Sequence, residues 1–173
     1  MQRIAIIGSG GAGKSTLARK IGKQLQIEVV HLDRLFWKPD WVMSSREEQK
    51  ALYQPLISQT TWIIDGNYGA TMDIRLQEAD TVIYLDFPRM LCIYRVLKRR
   101  LQYHKKSRPD MADGCPERLD FTFLKWLWNY PKNNRPLTLE KLAALPDEKR
   151  VIILRNPKDV ERFLASIGDV YHS

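Results

Sequence analysis

An eight-residue glycine-rich segment near the start of the chain constrains the fold more than any other feature of the sequence. It has the pattern G-x-x-x-x-G-K-S, which binds phosphate when a buried strand precedes it and a helix follows it. The apolar, β-branched run at 3–7 predicts the strand, and apolar residues recur at helical spacing over 17–25. The segment itself consists of Gly8, Ser9, Gly10, Gly11, Ala12, Gly13, Lys14 and Ser15.

Each residue type in this loop has a chemical purpose. Glycines let the backbone wrap around phosphate groups, so that its N–H groups and the next helix terminus face the anion. Lys14 is expected to reach the β- and γ-phosphates, and the Ser15 hydroxyl is expected to bind Mg²⁺. The sequence therefore predicts an ATP site with Mg²⁺ over residues 8–16, which includes Thr16.

Length, hydropathy and cysteine content limit the class of protein. The 173 residues are enough for one domain, predicted to span 1–173, and no 18-residue apolar run predicts a membrane span. The first strand follows Met1 within two residues, which leaves no room for a signal peptide. Cys92 and Cys115 form no C-x-x-C pair, which favours two ordinary thiols in a reducing, cytoplasmic setting.

The positive charge is concentrated in one internal segment. The whole chain carries a net charge of +8, and residues 89–135 contain twelve Lys or Arg against four Asp or Glu. The rest of the chain is therefore neutral. A flap that closes over polyphosphate, a nucleic-acid-binding surface and a solvated basic helix are the three interpretations of this pattern.

Four further apolar runs predict strands, and helical patterns separate them. With the first strand, they predict an α/β fold with right-handed crossovers and a parallel sheet. These four runs lie at 27–32, 61–65, 81–86 and 150–154.

Carboxylates follow three of the predicted strands, where open α/β sheets place their ligands. Asp33 is a candidate for orienting or deprotonating an acceptor hydroxyl, or for holding the water shell of Mg²⁺; a helix cap is the structural alternative. Asp65 and Asp86 are both candidates for the magnesium-side carboxylate, and their spacing does not separate them.

Other side chains have a functional and a structural interpretation of similar weight. Trp37 and Trp41 could stack on a planar acceptor or pack against the edge of the sheet. Arg75 could meet an acceptor anion or lie on the surface.

A long helix is predicted to begin near Pro88. Arg95 and Arg99, four residues apart, share one of its faces and predict a clamp on the transferring phosphoryl oxygens. Its apolar stripe consists of Met90, Ile93, Tyr94, Leu97 and Leu101.

With these motifs the chain resembles the P-loop nucleoside and nucleotide kinase superfamily, in the topology-modulation (FlaR-like) group related to adenylate kinases. The resemblance covers nearly the whole chain. Its motifs lie at 8–15, 32–33 with Trp37 and Trp41, 62–68, 85–88, 95–100, 108–110, 115–118 and 154–156.

This resemblance implies a three-layer P-loop NTPase fold with strand order 2-3-1-4-5, which places the Asp65 strand beside the loop strand. Asp65 is then preferred over Asp86 as the magnesium-side carboxylate, together with Ser15. The resemblance also implies a lid-like insertion at about 99–136, from which Arg135 joins Arg95 and Arg99 over the phosphates. The loop at Arg155 and Asn156 would border the adenine.

The acceptor side departs from true adenylate kinases, which carry D-G-F-P-R where this chain has Asp65, Gly66, Asn67 and Tyr68. These four residues, with Asp33, Trp37 and Arg75, are the predicted acceptor site. The first hypothesis is an ATP-dependent kinase of a small acceptor such as a nucleoside or a nucleotide, working as a monomer or a homodimer. The alternative is an ATP-regulated nucleic-acid-binding protein that affects DNA topology.

Overall fold

The computed structural model describes residues 1–104, 108–116 and 120–171. In this part of the chain the strands are β1 (Arg3–Gly8), β2 (Val29–His31), β3 (Trp37–Lys38), β4 (Val42–Met43), β5 (Trp62–Asp65), β6 (Thr81–Leu85) and β7 (Arg150–Leu154). The helices are α1 (Lys14–Leu25), α2 (Leu32–Phe36), α3 (Arg46–Ile57), α4 (Gly69–Glu78), α5 (Arg89–Gln102), α6 (Phe121–Asn133), α7 (Arg135–Ala143) and α8 (Pro157–Tyr171).

Five parallel strands form the main sheet in the order β2-β5-β1-β6-β7. Numbered along the chain within this sheet, that order is 2-3-1-4-5, so the predicted fold and strand order are confirmed. The register pairs Ile6 of β1 with Asp65 and His31 of β2 with the same Asp65. The carboxyl ends of β2, β5 and β1 therefore meet at one edge, where α/β sheets bind ligands.

Alternate residues of β1 supply the two halves of the core, as the two-residue period of a strand requires. Ile4 and Ile6 pack on one face against α1 and α8, whereas Ala5 and Ile7 pack on the other against α3, α4 and α7. The sheet is thus the middle of three layers. None of the helices described has the length and apolar character needed to cross a membrane.

The second strand is shorter than the sequence pattern predicts. The run 27–32 was expected to continue as a strand, but β2 ends at His31 and Leu32 already begins the short helix α2. β2 lies at the edge of the sheet, and its pairing with β5 ends at the His31–Asp65 pair. Asp33 therefore lies in the first turn of α2, where a carboxylate also complements the helix dipole.

Much of the predicted apolar stripe of α5 lies on the outside of the molecule. Tyr94 and Leu101 are exposed, as are Met90 and Leu97, and the buried residues of this helix are Cys92 and Val96. The inner face of α5 contacts the glycine-rich loop, so small and polar side chains occupy it in place of the long apolar ones. The proposed insertion at about 99–136 stays a prediction, and its residues 105–107 and 117–119 lie outside those described.

The Asp80 carboxylate stabilises the beginning of β1 through hydrogen bonds. Removal of the Asp80 side chain is expected to lower the free energy of unfolding by about 1–2 kcal/mol. Its carboxylate accepts hydrogen bonds from the backbone amides of Gln2 and Arg3, both at 2.8 Å, and from the Thr81 hydroxyl at 2.7 Å. Burial raises the pKa of Asp80, but these hydrogen bonds outweigh burial and hold the pKa below its usual value.

This contribution is present above the ordinary carboxyl pKa and is lost as the pH falls through the lowered pKa of the folded state. Urea unfolding of an Asp80→Ala variant should therefore differ from the parent at pH 7 and approach it near pH 3. Asp147→Ala, at an exposed position, is the matched control. A destabilisation that persists unchanged at pH 3 would show that the carboxylate charge is not its cause.

Candidate active site

The glycine-rich loop lies between the end of β1 and the start of α1, as a phosphate-binding loop requires. Gly11 and Gly13 have φ angles of 75° and 98°, which side chains rarely allow. A Cβ atom on Gly11 would also lie 2.4 Å from the carbonyl oxygen of Cys92, so the close packing of α5 against the loop needs a glycine there. The conformations of the glycines and the packing of α5 therefore both constrain the backbone of this loop.

Lys14 folds back over the loop that precedes it. Its Nζ donates a hydrogen bond to the carbonyl oxygen of Ser9 at 2.9 Å. Burial lowers the pKa of the Lys14 ammonium, whereas Asp33 and Asp65 raise it and Arg99 lowers it further. These influences place Lys14 among two carboxylates and a guanidinium, at the centre of the charged groups of the site.

Ser15 and Asp65 form a hydrogen-bonded pair at the carboxyl end of the sheet. The Ser15 hydroxyl donates to Asp65 Oδ2 at 2.7 Å. On the other side, His31 Nδ1 lies 2.5 Å from Asp65 Oδ1 and donates to it, because an ionised carboxylate only accepts. Asp65 is 3% exposed, so these two contacts fix its orientation.

Sequence reasoning missed His31. The signal was available in the strand order, because β2 beside β5 brings the last residue of β2 level with Asp65. Asp86, the alternative magnesium-side carboxylate, lies elsewhere: it forms a two-pronged ion pair with Arg135, at 2.7 Å and 2.9 Å. Asp65 is therefore the strand-end carboxylate that contacts the loop serine.

Arg95 and Arg99 both lie on the loop side of α5. The guanidinium of Arg95 donates to the carbonyl oxygen of Ala12 at 3.0 Å and stands 5.2 Å from the ring centre of Phe87. Arg99 lines the same cleft and is close enough to Lys14 to lower its pKa. The two arginines therefore face the glycine-rich loop, on the face that their spacing predicts.

A second cluster of charges surrounds Asp33. The Tyr68 hydroxyl donates to Asp33 Oδ1 at 2.7 Å, and the guanidinium of Arg108 lies 3.7 Å from Asp33 Oδ2. Arg108 also donates to Asp110 at 3.1 Å, and Arg19 of α1 lies 3.6 Å from Asp110. Arg108 and Asp110 were singled out in the sequence only through the resemblance, because nothing local marks a loop that returns to this site.

Trp37 and Trp41 contact each other edge to face, with ring centres 5.5 Å apart. They pack against Met111, Ala112 and Cys115, and Trp41 Nε1 donates to the carbonyl oxygen of Pro116. Both tryptophans therefore take part in packing, as the structural alternative predicts, and the loop at 108–116 is a partner that the sequence did not indicate. Trp37 still lines the cleft beside Asp33.

Arg75 is neither a surface residue nor a cleft residue. Its side chain is fully buried and donates to the carbonyl oxygens of Gly66 and Tyr68, at 2.8 Å and 3.2 Å. Burial lowers the pKa of Arg75 to about 10. In this position the arginine holds the turn after β5 in place, so the two interpretations drawn from the sequence are both replaced by a structural one.

Three other predicted site residues do not line the cleft in this structure. Arg135 is held by Asp86 at the base of α7, away from the loop. Asn156 caps α8, accepting from the amide of Asp159 at 3.1 Å, and the Arg155 amide donates to the Asp159 carboxylate. Their neighbours Pro157 and Val160 do line the cleft, so the loop after β7 reaches its border.

Most of the predicted site residues line one cleft of about 800 Å³. Aromatic and aliphatic side chains of α6 and α8 form one part of its lining, and Asp33 with its neighbours forms another. Gly8 and Ser9, the first two residues of the glycine-rich loop, do not line it. The predicted site residues that do are Gly10, Gly11, Ala12, Gly13, Lys14, Ser15, Thr16, Asp33, Trp37, Asp65, Gly66, Asn67, Tyr68, Arg95 and Arg99.

No protein-family model and no curated protein sequence matches the chain. Solved structures match it along its whole length. Shikimate kinase from Acinetobacter baumannii in complex with shikimate has a TM-score of 0.63 and 17% identity, covering 99% of this chain and 93% of that protein.

Deoxyadenosine kinase from M. mycoides with bound dATP has a TM-score of 0.61 and 18% identity, covering 98% of this chain and 99% of that one. A putative kinase from Chloroflexus aurantiacus has a TM-score of 0.55 and 16% identity, covering 98% of both. At these identities the likeness concerns the fold. The chain therefore has the three-layer α/β fold of these kinases.

Proposed function

We propose that this protein is a kinase that transfers the γ-phosphoryl group of ATP to a hydroxyl group of a small acceptor. The observation that carries the proposal is the single cleft that joins Lys14 on the glycine-rich loop to the carboxylate of Asp33. Phosphoryl transfer needs little beyond positioning and charge stabilisation, and this cleft contains groups for both. The fold likeness to kinases whose structures hold shikimate or dATP supports a small acceptor.

The residues at the loop fit ATP and Mg²⁺. The glycine conformations leave backbone N–H groups for phosphate oxygens, and the start of α1 adds its dipole. Mg²⁺ prefers oxygen ligands and keeps several waters, so it needs few protein groups. Ser15 and Asp65 provide two such oxygens, and the described residues hold no larger cluster of metal-binding side chains. When bound, Mg²⁺ neutralises charge on the phosphate oxygens.

The cations of the site are placed to stabilise charge that grows during transfer. Lys14 exchanges its bond to the Ser9 carbonyl oxygen for a phosphate oxygen, and Arg95 and Arg99 approach the loop from α5. Asp33 orients the acceptor hydroxyl and takes its proton, because its carboxylate lines the cleft and is 39% exposed, so that an acceptor can reach it. The chain's own residues thus divide into a phosphate end and an acceptor end.

Two contacts of the basic segment count against a nucleic-acid-binding surface. Arg135 is paired with Asp86, and Arg89 stacks over the Trp128 ring with 4.1 Å to its centre. These two of the twelve basic side chains at 89–135 are held by contacts within the molecule. Each contact would have to break before its arginine could meet a nucleic-acid phosphate.

The proposal is tested by measuring ADP release from Mg-ATP with a panel of nucleosides, nucleoside monophosphates, sugars and sugar phosphates, and separately with DNA or RNA. The Lys14→Ala protein is the blank. If one small acceptor stimulates ADP release by the parent protein but not by the Lys14→Ala protein, the result supports the kinase. Stimulation by nucleic acid alone would contradict a small acceptor and favour a nucleic-acid-dependent ATPase.

His31 is expected to position Asp65 for Mg²⁺, and His31→Ala should weaken apparent Mg²⁺ affinity about 10- to 100-fold. The reason is the His31–Asp65 hydrogen bond, which fixes the carboxylate beside Ser15. Titration of Mg²⁺ in the phosphotransfer assay measures this affinity. Binding of Mn²⁺, followed by paramagnetic resonance without acceptor, measures it independently of turnover. His31→Asn keeps an N–H donor near Nδ1 and should restore part of the affinity. Equal Mg²⁺ dependence in all three proteins would assign His31 to packing alone.

A further inference from the structure

The charges at the acceptor end point to a class of acceptor, an inference that rests on the proposed kinase function. We propose that the part of the acceptor next to Asp33 is an uncharged, hydroxyl-bearing ring, of the kind found in nucleosides and sugars. Phosphorylated forms of the same compounds are then rejected at this end. The proposal comes from the pairing of Arg108, from an unpaired acceptor atom on Asn67 and from the aromatic wall.

Arg108 stands between two carboxylates. Its guanidinium lies 3.7 Å from Asp33 and donates to Asp110 at 3.1 Å. The side chains of Arg108 and Asp110 are 9% and 11% exposed, so water screens this pair weakly, whereas Asp33 is 39% exposed and its charge is screened more. A phosphate or carboxylate group that approached Arg108 would therefore meet the negative charges of Asp33 and Asp110 at short range.

Arg19 adds a second cation to this end without creating an anion site. It pairs with the other oxygen of Asp110, at 3.6 Å. The four side chains thus alternate in sign from α1 across the loop to α2, and their formal charges cancel. Phosphate binds arginine best through two parallel N–H donors, whereas one such donor of Arg108 is already bonded to Asp110.

Asn67 supplies an independent observation. Its side chain lines the cleft, and its Oδ1 atom is buried and accepts no hydrogen bond from any residue that the structure describes. A buried oxygen of this kind needs a hydrogen-bond donor. The Asn67 amide must turn toward the cleft before a hydroxyl group of a bound ring can donate to it, whereas Asp33 is open to such a donor as it stands. An ionised phosphate or carboxylate group offers only oxygens that accept hydrogen bonds.

The aromatic wall completes the site. Trp37 lines the cleft, and its edge-to-face contact with Trp41 and the packing of Met111 hold it in place. An indole face packs well against the flat or hydrophobic side of a ring. The side-chain oxygens of Asp33 and Asn67 can accept hydrogen bonds, and the indole of Trp37 is a flat apolar wall. Together they fit a ring whose hydroxyl groups lie along one edge.

The first experiment compares matched pairs of acceptors in the ADP-release assay, each nucleoside or sugar with its own monophosphate. We expect kcat/KM for the uncharged member to be at least about tenfold higher in the pair that the enzyme uses. A preference for the monophosphate would overturn the inference while leaving the kinase intact. Lys14-dependent ATP binding without turnover of any pair would overturn the proposed function itself. The nucleoside and sugar arms identify which ring is used.

The second experiment changes the charge around Arg108. Asp110→Asn removes one of its two carboxylates, so the ratio of kcat/KM for the monophosphate to that for the uncharged acceptor should rise about tenfold. Because the ratio is taken within one protein, any effect of Asp110 on the nucleotide side cancels. Asp113→Asn removes a charge from an exposed position of the same loop and should leave the ratio unchanged. An unchanged ratio in Asp110→Asn would contradict the charge argument.

Discussion

A Lys14→Ala protein is expected to lose phosphotransfer by about 10²- to 10³-fold in kcat. The Lys14 ammonium lies against the glycine-rich loop, and Asp33, Asp65 and Arg99 all influence its pKa. Its present partner is a neutral backbone carbonyl oxygen, that of Ser9. The side chain can therefore exchange that bond for one to a phosphate oxygen, which is the stronger, charge-assisted kind.

The loss should fall mainly on kcat, because charge on the phosphate oxygens changes as the transition state forms and a fixed cation responds to that change. Steady-state kinetics with saturating Mg-ATP and the best acceptor measures the effect. Lys23→Ala removes a lysine from an exposed position of the same helix α1, outside the cleft, and is the matched control.

A Lys14→Ala protein with nearly normal turnover would contradict the proposed role. A protein that has lost turnover and also unfolds at a lower temperature than the Lys23→Ala control would carry a structural fault, so thermal unfolding of both variants belongs in the same experiment. Only a catalytic loss in a normally stable protein supports the assignment.

The sequence was most informative where chemistry and backbone geometry coincide. The glycine-rich loop needs a strand before it, a helix after it and positive φ angles within it, and the structure has all three. The order of the five parallel strands came from the resemblance and is confirmed. Once that order is known, the meeting of Asp65 with Ser15 follows from the register of β1 and β5.

Contacts between distant segments could not be predicted in the same way. Arginine is usually found on the protein surface. The complete burial of Arg75 is explained by the turn at 66–68, whose carbonyl oxygens accept its hydrogen bonds. Arg108 and Asp110 are 75 or more residues from Asp33, and no local pattern reports that their loop returns to the cleft.

Helical periodicity was also misleading about direction. It identifies which residues of α5 share a face, but it does not say which face meets the protein. Leu101 and Met90 are among the most exposed apolar residues, whereas Arg95 points inward to the carbonyl oxygen of Ala12. The inner face of the helix is the one that packs on the glycine-rich loop, where Gly11 approaches the carbonyl oxygen of Cys92.

Replacing Asp33 with asparagine should lower kcat for phosphotransfer by about 10²- to 10⁴-fold, the usual contribution of a general base. Asparagine has nearly the same shape and can still accept the hydrogen bond from Tyr68, so the acceptor end should keep its form. What it loses is the ability to take a proton and the negative charge opposite Arg108.

The nucleotide side gives the variant a second readout. Asp33 is one of two carboxylates whose charge is felt at Lys14, so its neutralisation makes the loop more positive. ATP, an anion, should then bind at least as tightly to Asp33→Asn as to the parent. Calorimetry with Mg-ATP in the absence of acceptor measures this, and weaker binding would indicate that Asp33 serves the nucleotide and not the acceptor.

The matched control is Asp40→Asn, in the same segment. Asp40 is exposed and has a φ angle of 63°, a backbone conformation that asparagine adopts readily, so the substitution changes the charge without strain. Its kcat should equal that of the parent protein. If Asp33→Asn also keeps full turnover, the proton must leave the acceptor by another route, and the assignment of the acceptor end to Asp33 fails. If only Asp33→Asn loses turnover while ATP still binds, the two ends of the cleft have separate tasks.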